Sequence, residues 1–169
     1  RAVAEHRLDF CLVSRREGDF DWIPLVDNPL LAWLPATHPL AGAPSYPLKA
    51  FETDPFIETY PNKESDNSRV FLANGIRPNT RYTTSDTLAT WSMVEAGLGV
   101  SCDNGLNAEN LNGRVAVMPL DPPQIIAIGI AVPSLDTLSP AARTFLREMR
   151  AHFPEKAGQH ANATKEERA

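Results

Sequence analysis

Ser85-Asp-Thr-Leu-Ala-Thr-Trp-Ser-Met-Val-Glu-Ala-Gly-Leu-Gly-Val-Ser-Cys102 reads as a capped helix that stops at a glycine and runs straight into a short strand. Ser85 is placed to accept a hydrogen bond from a first-turn N–H, and Asp86 puts negative charge at the positive end of the helix dipole. Gly97 suits the left-handed position just past the helix, with Leu98 folding back towards Met93 as in a Schellman stop. Gly99 lets the backbone pass close to a neighbour before Val100 opens the strand. Leu88 and Trp91 share one side of the helix, and Ala89, Met93 and Ala96 another. A helix apolar over that much of its girth is either an internal core helix or one packed between its own sheet and a second copy of the chain.

The 169 residues suffice for one or two small domains with a real core. With 43% hydrophobic and 22% charged residues, the composition is that of a globular protein rather than a disordered one. No apolar run is long enough to span a bilayer and the start lacks a secretory-signal pattern, so no membrane association is expected. The net charge of −5 argues against this chain holding nucleic acid by itself, because phosphates attract a basic face. A separate basic DNA-binding domain in a longer protein stays open. Cys11 and Cys102 fit no zinc or CxxC spacing and suggest no disulfide framework, which is consistent with the cytoplasm. Cys11 reads as a small buried hydrophobe inside a strand; Cys102, at a strand end, leaves a redox role open.

Outward from the central helix, strands and helices alternate. Leu8–Val13 reads as a strand buried on both faces, as in a parallel sheet. A polar loop, 14–21, lies at its carboxyl end, the side on which open α/β sheets bind ligands. Residues 22–26 and 30–34 read as two strands joined by a turn at Asp27-Asn28-Pro29. Residues 47–51 form one helical turn, 55–60 a strand, and 67–74 a short helix stopped by Gly75 with Ile76 reaching Phe71. Residues 80–84, 114–118 and 125–132 are further strands. Ser139 caps a helix with Pro140 at its first position and an apolar stripe of Ala142, Phe145, Leu146, Met149 and Phe153, which Pro154 ends. Residues 154–169 are polar and aperiodic, the composition of a disordered tail.

Met93–Ser101 resembles the glycine-stopped helix of the effector-binding domain of LysR-type transcriptional regulators. Three further stretches resemble that family in its order: His6-Arg-Leu-Asp-Phe-Cys-Leu-Val13, His38-Pro-Leu-Ala41 and Pro55–Tyr60. Arg7 stands where the family usually has glycine, and Asp103-Asn104-Gly105 where many members have an apolar pair. The resemblance covers about residues 5–153. It implies an α/β, two-lobed, periplasmic-binding-protein-like (type II) fold with its first lobe incomplete. Residues 1–34 and 125–153 would belong to the first lobe and 35–124 to the second, with the DNA-binding helix-turn-helix domain missing upstream.

Function follows the same line. The four histidines, His6, His38, His152 and His160, are dispersed, and no HExxH, GxSxG, Walker A or GxGxxG pattern occurs. Asp54, Glu58, Glu64 and Asp66 are close in sequence, but a solvated rim explains them better than paired catalytic carboxylates. Neither catalytic residues, nor a metal, nor a cofactor is therefore expected. If the lobes pack as the resemblance implies, a small effector would meet Ser14, Thr59, Tyr60, Thr83, Thr84, Ser85, Val100 and Ser101. The free N–H groups at the start of the central helix favour an anion. The plainer alternative is that these hydroxyls only cap helices and close turns. Leu88 and Trp91 are the expected exposed contacts of a dimer formed through the central helix, with a tetramer possible in the full-length regulator. DNA would be held only through the absent domain. A solute-binding protein of a transporter is the rival on the same fold; an enzyme and a truncated remnant are more distant ones.

Overall fold

A computed structural model describes residues 2–5, 7–109 and 111–153. His6 and the tail expected at 154–169 lie outside the described residues. The strands are β1 (Cys11–Ser14), β2 (Asp21–Pro35), β3 (Tyr46–Pro47), β4 (Phe56–Thr59), β5 (Thr80–Thr84), β6 (Ser101–Asn104), β7 (Val115–Asp121) and β8 (Ile125–Val132). The helices are α1 (Asp66–Ala73), α2 (Thr87–Glu95), α3 (Gly105–Ala108) and α4 (Pro140–His152), with a 3-10 turn at Leu48–Glu52. They fall into two compact units, one within Arg1–Asp27 and Ile126–Ala169, the other Asn28–Ile125.

In the first unit β1 pairs antiparallel with β8, from Cys11 opposite Ala131 to Ser14 opposite Ile128. Ile23, Leu25, Ile130 and Val132 form the core, which α4 closes with Leu146, Phe145 and Met149, and Phe153 just past its end. Phe10 and Phe145 stack at 4.2 Å between ring centroids. Ser139 caps α4 as expected, its hydroxyl accepting the Ala142 N–H at 3.2 Å. The parallel, doubly buried strand expected at 8–13 is not what forms. Its paired part begins at Cys11, its partner is antiparallel, and Leu12 is 53% exposed. An antiparallel strand is free to show one face to solvent.

In the second unit the later half of β2 is central. β6 pairs antiparallel with it from Leu30 opposite Asn104 to Trp33 opposite Ser101, and β7 from Leu31 opposite Pro119 to Pro35 opposite Val115. The parallel pair β4–β5 joins through a bridge between Phe56 and Val100. Trp33, Ile57, Trp91 and Val94 form one core, each side chain worth roughly 1.5–3 kcal/mol when fully buried. Phe51, Phe56 and Phe71 form another, meeting edge-on with centroids 5.3–5.4 Å apart.

The turn expected at Asp27-Asn28-Pro29 is absent, and β2 is one strand of 15 residues. Asn28 is buried and works as a bridge instead. Its amide donates to Asn104 Oδ1 at 2.9 Å and accepts the Leu106 N–H at 3.2 Å. Those long-range bonds hold straight a segment whose local composition favours bending. The stop of α1 is as expected: Gly75 takes φ 66° and Ile76 N–H returns to Phe71 C=O at 2.8 Å.

Candidate functional site

β4 and β5 run parallel, so both end at the same edge of the second unit, with Thr59 opposite Thr84. The start of α2 follows directly. Asp86, not Ser85, caps this helix. Its backbone is extended and its Oδ1 takes the Ala89 N–H at 2.7 Å, so the helix starts at Thr87. The displacement has a local cause. Asp86 N–H donates to Thr84 Oγ1 at 3.2 Å, a turn that carries the chain off β5 and puts the first helical residue one place later. At the other end the glycine stop forms as expected. Gly97 sits at φ 79°, its N–H bonds Val94 C=O at 2.9 Å, and the Leu98 N–H bonds Met93 C=O at 3.1 Å.

A buried hydroxyl relay ties the strand ends to α2. Thr90 Oγ1 lies 3.1 Å from the Asp86 carbonyl and 2.7 Å from Thr59 Oγ1. A carbonyl only accepts, so Thr90 donates to Asp86 and Thr59 donates to Thr90. Ser101 donates likewise to Ile57 C=O at 2.8 Å, joining β6 to β4. Thr59 and Ser101 are both buried with their protons committed inward, so either would meet a ligand as an acceptor.

The other expected site residues divide. Tyr60 follows at φ 61°, partly exposed, its N–H on Thr84 C=O at 2.7 Å and Lys63 Nζ 5.4 Å from its ring centre. Ser85, which follows Thr84 in the chain, is exposed. Thr83 pairs in register with Glu58 and Thr84 with Thr59, and strand alternation sends these pairs to opposite faces. Val100 is buried in its bridge to Phe56. Ser14 ends β1 in the first unit, and it too is buried.

As an exposed dimer contact, Trp91 is corrected: it is 6% exposed, whereas Leu88 is 63% exposed. The indole packs edge-on against Trp33 at 5.0 Å, and its N–H donates to Asn112 C=O at 3.0 Å. A shared helical side did not mean a shared environment, because the 111–115 segment covers only the Trp91 end.

Sequence reasoning missed Thr90, one of three hydroxyl residues of α2 with Thr87 and Ser92, which nothing local marks as the buried one. It also missed the polar knot after β6. There Asp103 Oδ1 accepts Asn104 N–H at 2.7 Å and Asn107 Nδ2 at 3.0 Å, while Asn104 caps α3. Burial raises the Asp103 carboxyl above its ordinary range against the pull of those bonds, and nearby Asp66 adds to the rise. Burial likewise pushes the Cys102 thiol well up, which disfavours the thiolate that redox chemistry needs. The four acids 54, 58, 64 and 66 do not form a matched pair. Asp54 accepts from Tyr46 OH at 2.7 Å and lies 3.2 Å from His38 Nε2, while Glu64 and Asp66 face Arg69. Among the described residues no three His, Cys, Asp or Glu side chains are grouped to hold a metal, and no helix is long and apolar enough to cross a membrane.

Residues 1–154 match the family described as LysR substrate binding domain. The uncharacterised HTH-type transcriptional regulator YybE of Bacillus subtilis (strain 168) is 29% identical over 153 residues, 88% of this chain and 52% of its own length. The chain thus spans about half the length of that relative. Among solved structures, the regulatory domain of Synechocystis PCC6803 CcmR in complex with 2-PG superposes with a TM-score of 0.80 at 20% identity, covering 92% of this chain and 78% of that one. The effector binding domain of QuiR in complex with shikimate gives 0.70 at 22%, covering 90% and 77%. At such identities the likeness shows the fold, which is the two-lobed, type II periplasmic-binding-protein-like one.

Proposed function

This chain belongs to the LysR substrate binding domain family, and on that premise we propose that it is the effector-sensing part of a cytoplasmic transcriptional regulator. The effector is a small anionic metabolite. The observation that carries this reading is the start of α2. Asp86 satisfies the Ala89 N–H and leaves those of Thr87 and Leu88 for a ligand, beside exposed Ser85 and Tyr60 at the ends of β4 and β5. Effector binding would shift the equilibrium between two states of the regulator and so change how a dimer or tetramer holds DNA through a separate helix-turn-helix domain. No catalytic step is assigned to it. CcmR with 2-PG and QuiR with shikimate are regulators with small ligands on this fold, which favours sensing over solute capture for a transporter.

Asp86 supplies the test, because its negative charge opposes an anion while its geometry caps the helix. Asp86→Asn keeps a capping oxygen and removes the charge. Calorimetric titration of the chain with a panel of small carboxylates and phosphate esters, shikimate and 2-PG included, should give a ligand that binds roughly two- to fivefold tighter to the variant. Weaker binding to the variant, or no binding across the panel, overturns the anion reading.

The dimer is assigned to the exposed side of α2, with Leu88 as its apolar contact. A Leu88→Glu chain should self-associate at least about tenfold more weakly in sedimentation equilibrium, a charge being costly to bury without a partner. Unchanged association removes α2 from the interface.

A further inference from the structure

Strand alternation in β4 separates two faces. Ile57 and Thr59 turn towards α2, where Ile57 packs with Trp91 and Thr59 bonds Thr90. Phe56 and Glu58 turn the other way, towards α1, where Phe56 meets Phe71 edge-on at 5.4 Å. On that second face the chain leaves a cavity of about 370 Å3. Its floor is Phe56, Phe71 and Ile76, all buried. Its polar lining includes Glu58, Arg77 and Thr80, the start of α1 at Ser65 and Ser68, and, where it borders the strand ends, Thr59.

The volume lies within the roughly 300–1,000 Å3 typical of small-molecule sites, and an apolar base with a few polar groups is their usual chemistry. The floor is also preorganised. Phe51 braces both Phe56 and Phe71, so three rings hold one another edge-on. The two charged groups are uncommitted: neither the Glu58 carboxylate nor the Arg77 guanidinium has an ion-pair partner among the described residues. An apolar base flanked by one free anion and one free cation is complementary to a zwitterion with an apolar side chain.

We propose that the cavity between α1 and the β4–β5 pair is a second ligand site, adjoining the strand-end site at Thr59 but built on other residues, which takes an apolar or aromatic α-amino acid. The side chain rests on Phe56, Phe71 and Ile76, Glu58 accepts from the ammonium, and Arg77 holds the carboxylate. Because α1 and β4 both line it, occupation would stiffen the part of the second unit from which Thr59 and Tyr60 project.

Calorimetric titration of the full 169-residue chain tests this with four probes: L-phenylalanine, phenethylamine, 3-phenylpropanoate and glycine. L-Phenylalanine is expected to bind one-to-one with a Kd below about 1 mM, at least about tenfold tighter than either single-charge probe, while glycine gives no heat. Glu58→Gln and Arg77→Ala should each weaken L-phenylalanine about tenfold. Both positions lie outside the apolar cores, and unchanged melting curves would show that the variants fold. The proposal fails if L-phenylalanine does not bind, if it binds both folded variants as tightly as the parent, or if a single-charge probe binds equally well. Neither Glu58 nor Arg77 belongs to the strand-end site, so its failure would leave the effector reading standing.

Discussion

Replacing Trp91 by alanine is expected to cost the chain roughly 3–5 kcal/mol of stability, read as a lower denaturation midpoint in urea. The ring is buried among Trp33, Ile57 and Val94, and truncation would leave a cavity that these packed side chains close only in part. Two further losses add to the transfer term. The edge-on contact with Trp33 disappears, and the Asn112 carbonyl loses the indole N–H that reaches it at 3.0 Å. Trp33 makes the loss sharper. Its own Nε1 is buried without a hydrogen-bond partner among the described residues, so packing is what they contribute to holding that ring. Trp91→Phe separates the terms: it keeps most of the packing and loses the hydrogen bond, for about 1–1.5 kcal/mol. An alanine variant within 1 kcal/mol of the parent would mean the ring is not buried in solution. A dimer assay on Trp91→Ala would report unfolding, not the interface, which is why Leu88 carries that test.

What could be read from the sequence divides along the range of the forces involved. Helix stops are local: Gly75 and Gly97 were legible because the left-handed residue and the carbonyls it serves lie within six positions. The Ser139-Pro140 start of α4 is equally local, and it formed as read. The errors lie where a distant partner decides. Asp27-Asn28-Pro29 has turn composition, but Asn28 is claimed by Asn104 and Leu106, more than 70 residues away. Leu88 and Trp91 share a helix side by spacing, yet one is covered by a segment 20 residues on and the other is not. The cap fell on Asp86 because Thr84 began the turn, a choice between neighbours that propensity ranks almost equally. For the site, residue types at strand ends were visible. Which face each took was not, because the β4–β5 register has a shift between Phe56 and Ile57 that no pattern announces.

The bridge between Phe56 and Val100 brings Gly99 against Pro55 and makes it the most sensitive glycine of the strand-end region. A Cβ built there would lie 2.3 Å from the Pro55 carbonyl oxygen and 3.0 Å from its carbon, both backbone atoms that no rotamer change can move. The same carbonyl accepts the Val100 N–H at 2.8 Å, and Val100 C=O in turn accepts the Ile57 N–H at 2.9 Å. Relieving the clash means drawing residues 99–100 away from β4, which stretches both bonds and then the Ser101 hydroxyl bond to Ile57. Overpacking against rigid backbone and one lost buried hydrogen bond together predict that Gly99→Ala costs about 3 kcal/mol. Gly97→Ala is the control. Its position has open space within 4 Å but φ 79°, so only left-handed strain is charged, roughly 1–2 kcal/mol. Denaturation midpoints of the two variants should therefore rank Gly99→Ala below Gly97→Ala, although only Gly97 has an unusual backbone angle. The reverse order would mean that β4 and Val100 stand further apart than the ladder allows, and Thr59 and Ser101 would then not be held together by these bonds.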